Sequence, residues 1–275
     1  MSEPVIAEIF IIGNEILIGD IQDTNTHWLC KEINGLGGQV ARVTLLRDIA
    51  GVIAAETKGA LERGAHVIIT SGGLGPTADD LTLAAVAQGV GVAVRLNDEA
   101  LRMVRERYDL LAGQGVLAQG GLNPAREKMA WLPEGAVPLH NPVGTAPGVL
   151  LRTARSAIIS LPGVPSELKG IFSTSLQPFL LETFSGGTAV MRTITVQSND
   201  ESVMEPVLSR VVRDHPDIYV KSLARTLGET REIDITLSAV GNDTSLLNGR
   251  IAAALKELQA GLAALGIGCR EKASA

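Results

Sequence analysis

The sequence is poor in aromatic residues and cysteine, and it has no excess of positive charge. Only 3% of its 275 residues are aromatic, and the net charge is −6 at pH 7. An acidic chain has no overall attraction for nucleic acid or for an anionic membrane, so any anionic ligand must be held locally. The two cysteines, Cys30 and Cys269, match no zinc or redox spacing, which excludes a disulfide framework and is typical of a reducing compartment.

Long apolar runs and a basic leader are also missing. No stretch approaches the roughly 20 apolar residues that span a bilayer, and the first residues, MSEPVIAEIFIIG, lack a basic segment. We therefore expect a cytoplasmic protein without a membrane partner. Apolar residues are abundant, since 45% of residues are hydrophobic and only 20% are charged. This hydrophobic content is enough for a large core in one or two domains.

The first 185 residues alternate short apolar runs with helical patterns. Four runs are typical of strands buried on both faces, namely Val5–Ile12, Val40–Leu46, His66–Thr70 and Ala157–Leu161. Helical patterns cover Asn25–Leu36, Ile49–Arg63, Asp80–Gln88, Asp98–Leu111 and Ser166–Phe184. Within the last of these, Pro178 should kink or split the helix. The alternation predicts right-handed βαβ crossovers and an α/β domain with a mostly parallel sheet over residues 1–185.

A second pattern follows the expected linker Ser185–Thr188. It reads strand, helix, two strands and helix, over Val190–Gln197, Glu201–Arg213, Ile218–Leu223, Glu232–Ala239 and Thr244–Leu265. We predict a small separate α+β domain over residues 189–268. This region has eight Lys/Arg against ten Asp/Glu, and its GETR sequence at 228–231 is not a GxxG clamp, so no nucleic-acid partner is predicted.

Four segments punctuated by glycine or proline lie next to the apolar runs. They are GNEILIGDIQDTN (13–25), GGLGPTADDLT (72–82), NPVGTAPG (141–148) and PGVPSE (162–167). Ligands of open parallel sheets bind beyond the carboxyl ends of the strands, so we expect these segments to meet at one pocket. The last two offer Asn141, Thr145 and Ser166 as hydrogen-bond groups and Glu167 as a charge, although a structural role alone would also account for them. The glycine-rich stretch 113–124 is either a mobile loop near the site or a passive connector.

The segment 72–82 has the features of an anion site. Its glycines let backbone N–H groups approach an anion, and the helix that follows adds the positive end of its dipole. A tight turn without a ligand explains the glycines equally well. It is not a Walker loop, because no lysine occurs between Lys58 and Lys128, and it does not match GxGxxG.

Two adjacent acids beside a phosphate need an explanation. One of Asp79 and Asp80 is expected to cap the helix, and the other to hold a divalent cation such as Mg²⁺ together with phosphate oxygens. Glu15 and Asp48 lie at predicted strand ends and would join this shell, although each alone is as readily a solvated acid. The four histidines have no ligand spacing and are expected to be structural.

In this order the four segments resemble the MoaB/MogA-like domain of molybdenum-cofactor biosynthesis, in the version found in the CinA family. The resemblance runs from about Ile6 to Leu181, and the second domain is similar to the family's KH-like module. It implies a three-layer fold and either metal-dependent cleavage of ADP-ribose-like pyrophosphates or binding and adenylylation of molybdopterin. We also expect a homodimer, because the simplest role of the small domain is dimerisation or covering the pocket of a partner subunit. Because the chain ends near residue 275, the C-terminal nicotinamide-mononucleotide deamidase domain of full-length members is expected to be absent.

The resemblance also implies roles for individual residues. Asp80, Asp48 and Glu15 would be catalytic, and Asp80, Asp79 and Asp48 would hold the divalent cation. The ligand would contact Gly72, Gly73, Gly75, Thr77, Asn25, Gly144 and Thr145, with Arg126 and Lys128 neutralising phosphate. The chain departs from the family pattern at Arg47, where glycine is usual, and at Met129, where glutamine is common.

Three functions therefore stay open: a metal-dependent nucleotide pyrophosphatase, a molybdopterin-binding or adenylyl-transfer protein, and a non-catalytic nucleotide-binding protein. If the small domain covers the pocket of a partner subunit, Lys221 and Arg225 would add cations to it, although a solvated surface position would explain both residues.

Overall fold

The computed structural model describes residues 5–184, 188–198, 200–223, 232–241 and 243–272. The chain forms two compact units, Met1–Ile33 with Gly38–Phe184 and Asn34–Gly37 with Ser185–Ala275. Arg225, the GETR sequence and residues 185–187 of the expected linker lie outside the described residues. In the described part, no helix is long and apolar enough to cross a membrane.

Over residues 5–184, unit 1 has eight strands and eight helices with one π-helical turn. The strands are β1 Ile6–Ile12, β2 Gln39–Leu46, β3 Val67–Ser71, β4 Val94–Leu96, β5 Trp131–Pro133, β6 Val137–Leu139, β7 Gly148–Arg152 and β8 Ala157–Leu161. The helices are α1 Asn14–Leu17, α2 Asn25–Gly35, α3 Ala50–Glu62, α4 Thr82–Val90, α5 Asp98–Gly113, α6 Pro124–Lys128, α7 Pro165–Ile171 and α8 Gln177–Thr183.

Six of these strands form the central sheet, in the order β2-β1-β3-β8-β7-β6. The pairings among β2, β1, β3 and β8 are parallel, whereas β7 runs antiparallel to both β8 and β6. The predicted α/β fold with a mostly parallel sheet is confirmed.

The sheet is buried on both faces at its centre. Phe10, Ile68 and Ile158 share a core with residues of α3 and α4. Their neighbours Ile9 and Ile69 are also fully buried, and successive strand residues point to opposite faces. Apolar side chains therefore cover both faces, as the continuous apolar runs predicted.

The interpretation of Val40–Leu46 as a strand buried on both faces is wrong. β2 is an edge strand, and only Leu46 of its eight residues is buried. An edge strand has a neighbour on one side only, so its apolar residues stay partly open to solvent even where the sequence is apolar.

The prediction for Pro178 is confirmed. The helix from Pro165 is interrupted by a π-helical turn, Phe172–Leu176, and α8 starts afresh with Pro178 in its first turn. Proline has no N–H to donate to the preceding turn, and its ring crowds the carbonyl four residues earlier. The wider π turn is where the helix adjusts to the proline.

Unit 2 is an antiparallel sheet with two helices. Its strands are β9 Thr188–Val196, β10 Tyr219–Leu223, β11 Ile233–Gly241 and β12 Cys269–Glu271, in the order β10-β11-β9-β12. Its helices are α9 Glu201–Asp214 and α10 Thr244–Ala264. Ile194, Ile235 and Leu258 are fully buried in its core. Every element except β12 matches a segment predicted from the sequence to within two residues at each end.

Candidate functional site

The four motif segments lie at one edge of the central sheet. β2, β1, β3 and β8 run parallel, so the residues that follow them lie at the same edge. Strand β7 is antiparallel to β8, so its first residue, Gly148, and the NPVGTAPG segment before it lie at this edge too. We call this edge the carboxyl edge. With strands about 4.8 Å apart, it extends about 19 Å from β2 to β7. The segments lie at one edge as expected, and their meeting at one pocket stays a prediction.

Hydrogen bonds join neighbouring segments along the carboxyl edge. The Asn25 Nδ2 atom donates to Ser71 Oγ at 3.0 Å and to the Gly163 carbonyl at 2.8 Å. The Gly72 N–H donates to the Leu161 carbonyl at 2.9 Å, and the Asn14 N–H donates to Asp48 Oδ2 at 2.8 Å. The buried Oδ1 of Asn25 accepts no hydrogen bond within the described part of the chain.

The turn after β3, Gly72–Asp80, requires its first two glycines. Gly72 has φ +112°, and a Cβ atom there would lie 2.0 Å from the Ile12 carbonyl oxygen at the end of β1. Gly73 has φ +68°, and its Cβ would lie 2.3 Å from Thr82 Oγ1. Both positions exclude a side chain by space and by conformation.

The same turn leaves main-chain donors open. Among the described residues, no acceptor bonds to the N–H groups of Gly73, Leu74 and Gly75. Thr82, the first residue of α4, ties the helix start to the turn by donating to the Gly72 carbonyl at 2.8 Å and, through its N–H, to the Gly73 carbonyl at 3.2 Å. Three free amides beside a helix N-terminus form an arrangement suited to an anion.

The expectation that Asp79 or Asp80 caps this helix is wrong. The N-cap is Leu81, which makes no side-chain capping bond. Both carboxylates bond to Thr77 instead: its hydroxyl lies 2.5 Å from Asp79 Oδ1 and 2.6 Å from Asp80 Oδ2, and its N–H donates to Asp80 Oδ2 at 2.8 Å. Because a hydroxyl has one proton, it cannot satisfy both carboxylates at once.

A second set of acids lies beside this turn. Burial raises the pKa of Asp48. The hydrogen bond from the Asn14 N–H lowers it, but the nearby charges of Glu15 and Asp79 raise it further. Glu15 bends back over Gly13, where a Cβ atom would lie 2.4 Å from Glu15 Oε1. The structure thus brings Asp48 within electrostatic reach of Glu15 and Asp79. Among the described residues, no group of three or more is already arranged to hold a metal ion.

Lys128 is the basic group next to the turn. Its Nζ donates to the Thr77 carbonyl. The hydrogen bond from the Thr77 hydroxyl is the main cause that lowers the pKa of Asp79, and the charge of Lys128 lowers it further. A cavity of about 80 Å³ borders the turn, lined in part by Gly73, Asp80, Lys128 and Trp131. That volume holds only a few waters, so a nucleotide or pterin would have to lie in the open part of the edge.

Arg126 contacts the stretch between α5 and α6 and the ring of Tyr108. Its guanidinium donates to the carbonyls of Gln119, Gly120 and Gly121 at 2.7 to 3.1 Å. It also stacks on the Tyr108 ring, 3.9 Å from the centroid. These contacts hold the stretch between α5 and α6, which contains no helix or strand, and the phosphate role expected for Arg126 stays a prediction.

The NPVGTAPG segment is organised by Asn141 and Glu167, which the sequence offered as polar groups, and by Arg107, which the sequence did not single out. The buried Asn141 accepts hydrogen bonds from the N–H groups of Val143 and Gly144 at 3.0 and 2.8 Å, and it donates to Glu167 Oε2 at 2.7 Å. Arg107 of α5 donates to the Gly144 carbonyl at 2.9 Å and also to Val143. Arg107 stands in a helical pattern of alternating charges, so no local signal separated it from its solvated neighbours.

A family described as a probable molybdopterin binding domain matches residues 8–182. The chain belongs to this family. A protein of Aeropyrum pernix is 44% identical over 222 residues, which cover 81% of this chain and 80% of that protein. A protein of Pyrobaculum calidifontis is 38% identical over 253 residues, covering 92% and 94%.

The resemblance to CinA is confirmed by a solved structure. A CinA protein of unknown function from Thermoplasma acidophilum superposes with a TM-score of 0.57 at 34% identity, covering 64% of this chain and 98% of that chain. The molybdopterin-binding family and the CinA-like fold thus both rest on unit 1, where every expected site residue lies. The roles of those residues stay predictions.

Proposed function

We propose that unit 1 binds the phosphate group of a pterin or nucleotide at the turn after β3. The observation that carries this proposal is the set of three unbonded amides, Gly73 to Gly75, beside the start of α4. Thr77 and Lys128 border the same turn and add a hydroxyl and a positive charge. The family description favours molybdopterin as the ligand.

The acids at the edge fit a divalent cation that arrives with the ligand. Asp79, Asp80 and Asp48 offer only carboxylate oxygens, which suit Mg²⁺. Mg²⁺ is commonly held by one or two carboxylates together with substrate phosphates. These acids lie at separate positions, so we propose that the cation site is completed only when the phosphate of the ligand is bound. When bound, the cation would neutralise charge between the phosphate and the acids.

A second candidate function is hydrolysis of a phosphoanhydride in ADP-ribose or a related dinucleotide. The raised pKa of Asp48 favours it, because a carboxylate that binds protons more readily is a better acceptor for the proton of an attacking water. Asp80 and Glu15 would orient that water. The free amides of the turn and Lys128 would stabilise the negative charge that develops on the phosphate. We further infer that the protein is cytoplasmic, since its cysteine usage is typical of a reducing compartment, and that it acts as a homodimer through its small domain.

A ligand and metal screen on the purified chain tests both candidates. We expect tight binding of molybdopterin under anaerobic conditions, and AMP release from ADP-ribose only with added divalent metal. Asp80→Asn should reduce that release about a hundredfold or more, because it removes a charge that holds the cation. Binding of molybdopterin without turnover of ADP-ribose under any metal would leave only the first function. If neither ligand binds, both proposals are wrong.

A further inference from the structure

Glu167 is a partly buried carboxylate at the carboxyl edge for which the expected site has no role. It lies in the first turn of α7, directly after the segment that follows β8. Its Oε2 accepts the hydrogen bond from Asn141 Nδ2 at 2.7 Å. Among the described residues Glu167 forms no ion pair, and its Oε1 accepts no hydrogen bond. One oxygen is therefore held and the other is open.

The position of this carboxylate is fixed by the segment before β7. A Cβ atom at Gly144 would lie 1.8 Å from Glu167 Oε2, so the carboxylate lies directly against the Gly144 main chain. Asn141, only 6% exposed, holds both partners, since its amide oxygen accepts from the Gly144 N–H and its amide nitrogen donates to Glu167. Arg107 secures the Gly144 carbonyl. The open oxygen thus belongs to a preorganised group.

Partial burial of a carboxylate without a cation costs free energy unless hydrogen bonds compensate it. A single amide donor from Asn141 leaves most of the acceptor capacity of Glu167 unused. The open oxygen would repel a phosphate and attract O–H or N–H donors. Glu167 is therefore suited to a part of the ligand that donates hydrogen bonds.

The sheet order places Glu167 close to the proposed phosphate position. β8 is the neighbour of β3, and a Cβ atom at Gly163, four residues before Glu167, would lie 3.4 Å from Gly72 Cα. A ligand with its phosphate at the turn can reach Glu167 by extending along the edge towards β7. The acids Asp48 and Glu15 lie in the opposite direction, beyond β1.

We propose that Glu167 binds adjacent hydrogen-bond donors on the uncharged part of the ligand, either a ribose diol or the amino edge of a pterin. This inference rests on the proposed function, because it assumes that the phosphate occupies the turn after β3. Glu167 then orients the ligand, with its anionic end towards β1 and its donor end towards β7.

Calorimetric titration of the full chain in the presence of Mg²⁺ tests the proposal without turnover, because ADP-ribose is used as its methylene-bridged analogue, which cannot be hydrolysed. The probes are ADP-ribose, molybdopterin and inorganic pyrophosphate, which has a phosphoanhydride but no donor groups of this kind. Glu167→Gln can still accept from Asn141 but presents an N–H₂ group or a neutral oxygen to the ligand. We expect affinity for ADP-ribose, for molybdopterin or for both to fall about 10- to 100-fold, with pyrophosphate affinity unchanged. A loss of affinity for ADP-ribose identifies the ribose diol as the donor, and a loss of affinity for molybdopterin identifies the amino edge of the pterin.

Glu182→Gln is the matched control, because it makes the same chemical change at an exposed position on α8. It should bind all three probes as the unchanged protein does. Equal affinity of Glu167→Gln and the unchanged protein for both organic ligands would overturn the inference while leaving the proposed function intact. A parallel loss for pyrophosphate would also overturn it, since that result indicates a general disturbance of the edge. Failure of the unchanged protein to bind any probe would contradict the proposed function itself.

Discussion

At the scale of single residues, the closest approach of the main chain is at Gly72. Its carbonyl accepts from Thr82, its N–H donates to Leu161, and its Cα faces the Ile12 carbonyl. One position thus joins β1, β8 and α4, and the amides of the three residues that follow it form no hydrogen bond within the described part of the chain. The glycine pattern predicted this turn, but its contact with Ile12 depends on strand order, which no local pattern contains.

Gly72→Ala should destabilise unit 1 and weaken phosphate binding. The new Cβ would meet the Ile12 carbonyl at 2.0 Å in a conformation that L-residues rarely adopt. Strain and overpacking together should lower the free energy of unfolding by about 2–5 kcal/mol, measured by urea denaturation. Gly51→Ala is the control, since Gly51 lies inside α3 with open space around it, and there alanine should stabilise by about 0.5–1 kcal/mol. Equal effects of the two substitutions would contradict this account of the turn.

Asp48 shows why acids at this edge favour a cation. Burial and the charges of Glu15 and Asp79 raise its pKa above the ordinary value of 3.8. The folded state therefore binds the proton more tightly than the unfolded state. The contribution of Asp48 to stability is greatest below pH 3.8, falls as the pH rises from there to the raised pKa, and stays lower at neutral pH. A cation at the edge offsets this cost at neutral pH, which couples ligand binding to stability.

At the scale of elements, the long periodic segments were predictable and the short ones were not. The central strands β1, β3 and β8 and the helices α2, α3 and α5 follow from apolar runs and helical spacing. The strands β4, β5 and β6 have three residues each, too few to produce a periodic signal. They form because the packing of neighbouring elements places distant segments side by side. Leu96 of β4, for example, pairs with Trp131 of β5.

The start of α4 was misplaced for a related reason. Asp-Asp before an apolar run is a common capping signal, but Thr77 competes for both carboxylates through its hydroxyl and N–H. A side chain with several partners within reach cannot be assigned from sequence spacing alone. The shift matters, because it leaves the acids on the turn instead of on the helix.

The stretch between α5 and α6 depends on Arg126. Its guanidinium bonds three successive carbonyls and stacks on Tyr108, whose hydroxyl lies 3.5 Å from Thr145 Oγ1. Arg126→Ala should increase amide hydrogen exchange over residues 114–123 at least about tenfold, because these anchors restrain local opening.

Pyrophosphate affinity separates the two roles considered for Arg126. If its guanidinium serves only the loop, Arg126→Ala should leave that affinity unchanged in calorimetry. Arg102→Ala, an exposed substitution on α5, provides the control for loss of one surface arginine. A loss of affinity for Arg126→Ala alone would mean that the arginine reaches the phosphate, as the resemblance to CinA implied.

At the scale of the whole molecule, every expected site residue lies in unit 1, whereas unit 2 has its own sheet and core. Ile235→Ala in unit 2 should therefore leave ligand affinity unchanged. The side chain is fully buried, so its truncation should lower the stability of unit 2 by about 2–5 kcal/mol, measured by thermal unfolding. A drop in affinity at temperatures where unit 2 remains folded would show that Lys221 or another residue of unit 2 contributes to binding.

The account as a whole depends on the turn after β3 holding an anionic group. A crystal structure of the chain soaked with ADP-ribose and Mg²⁺ tests this most directly. We predict phosphate oxygens within hydrogen-bond distance of the Gly73, Leu74 and Gly75 amides, and the cation between a phosphate and the acids Asp79, Asp80 or Asp48. Ligand bound at another place on the chain, with these three amides still unbonded, would contradict the central claim.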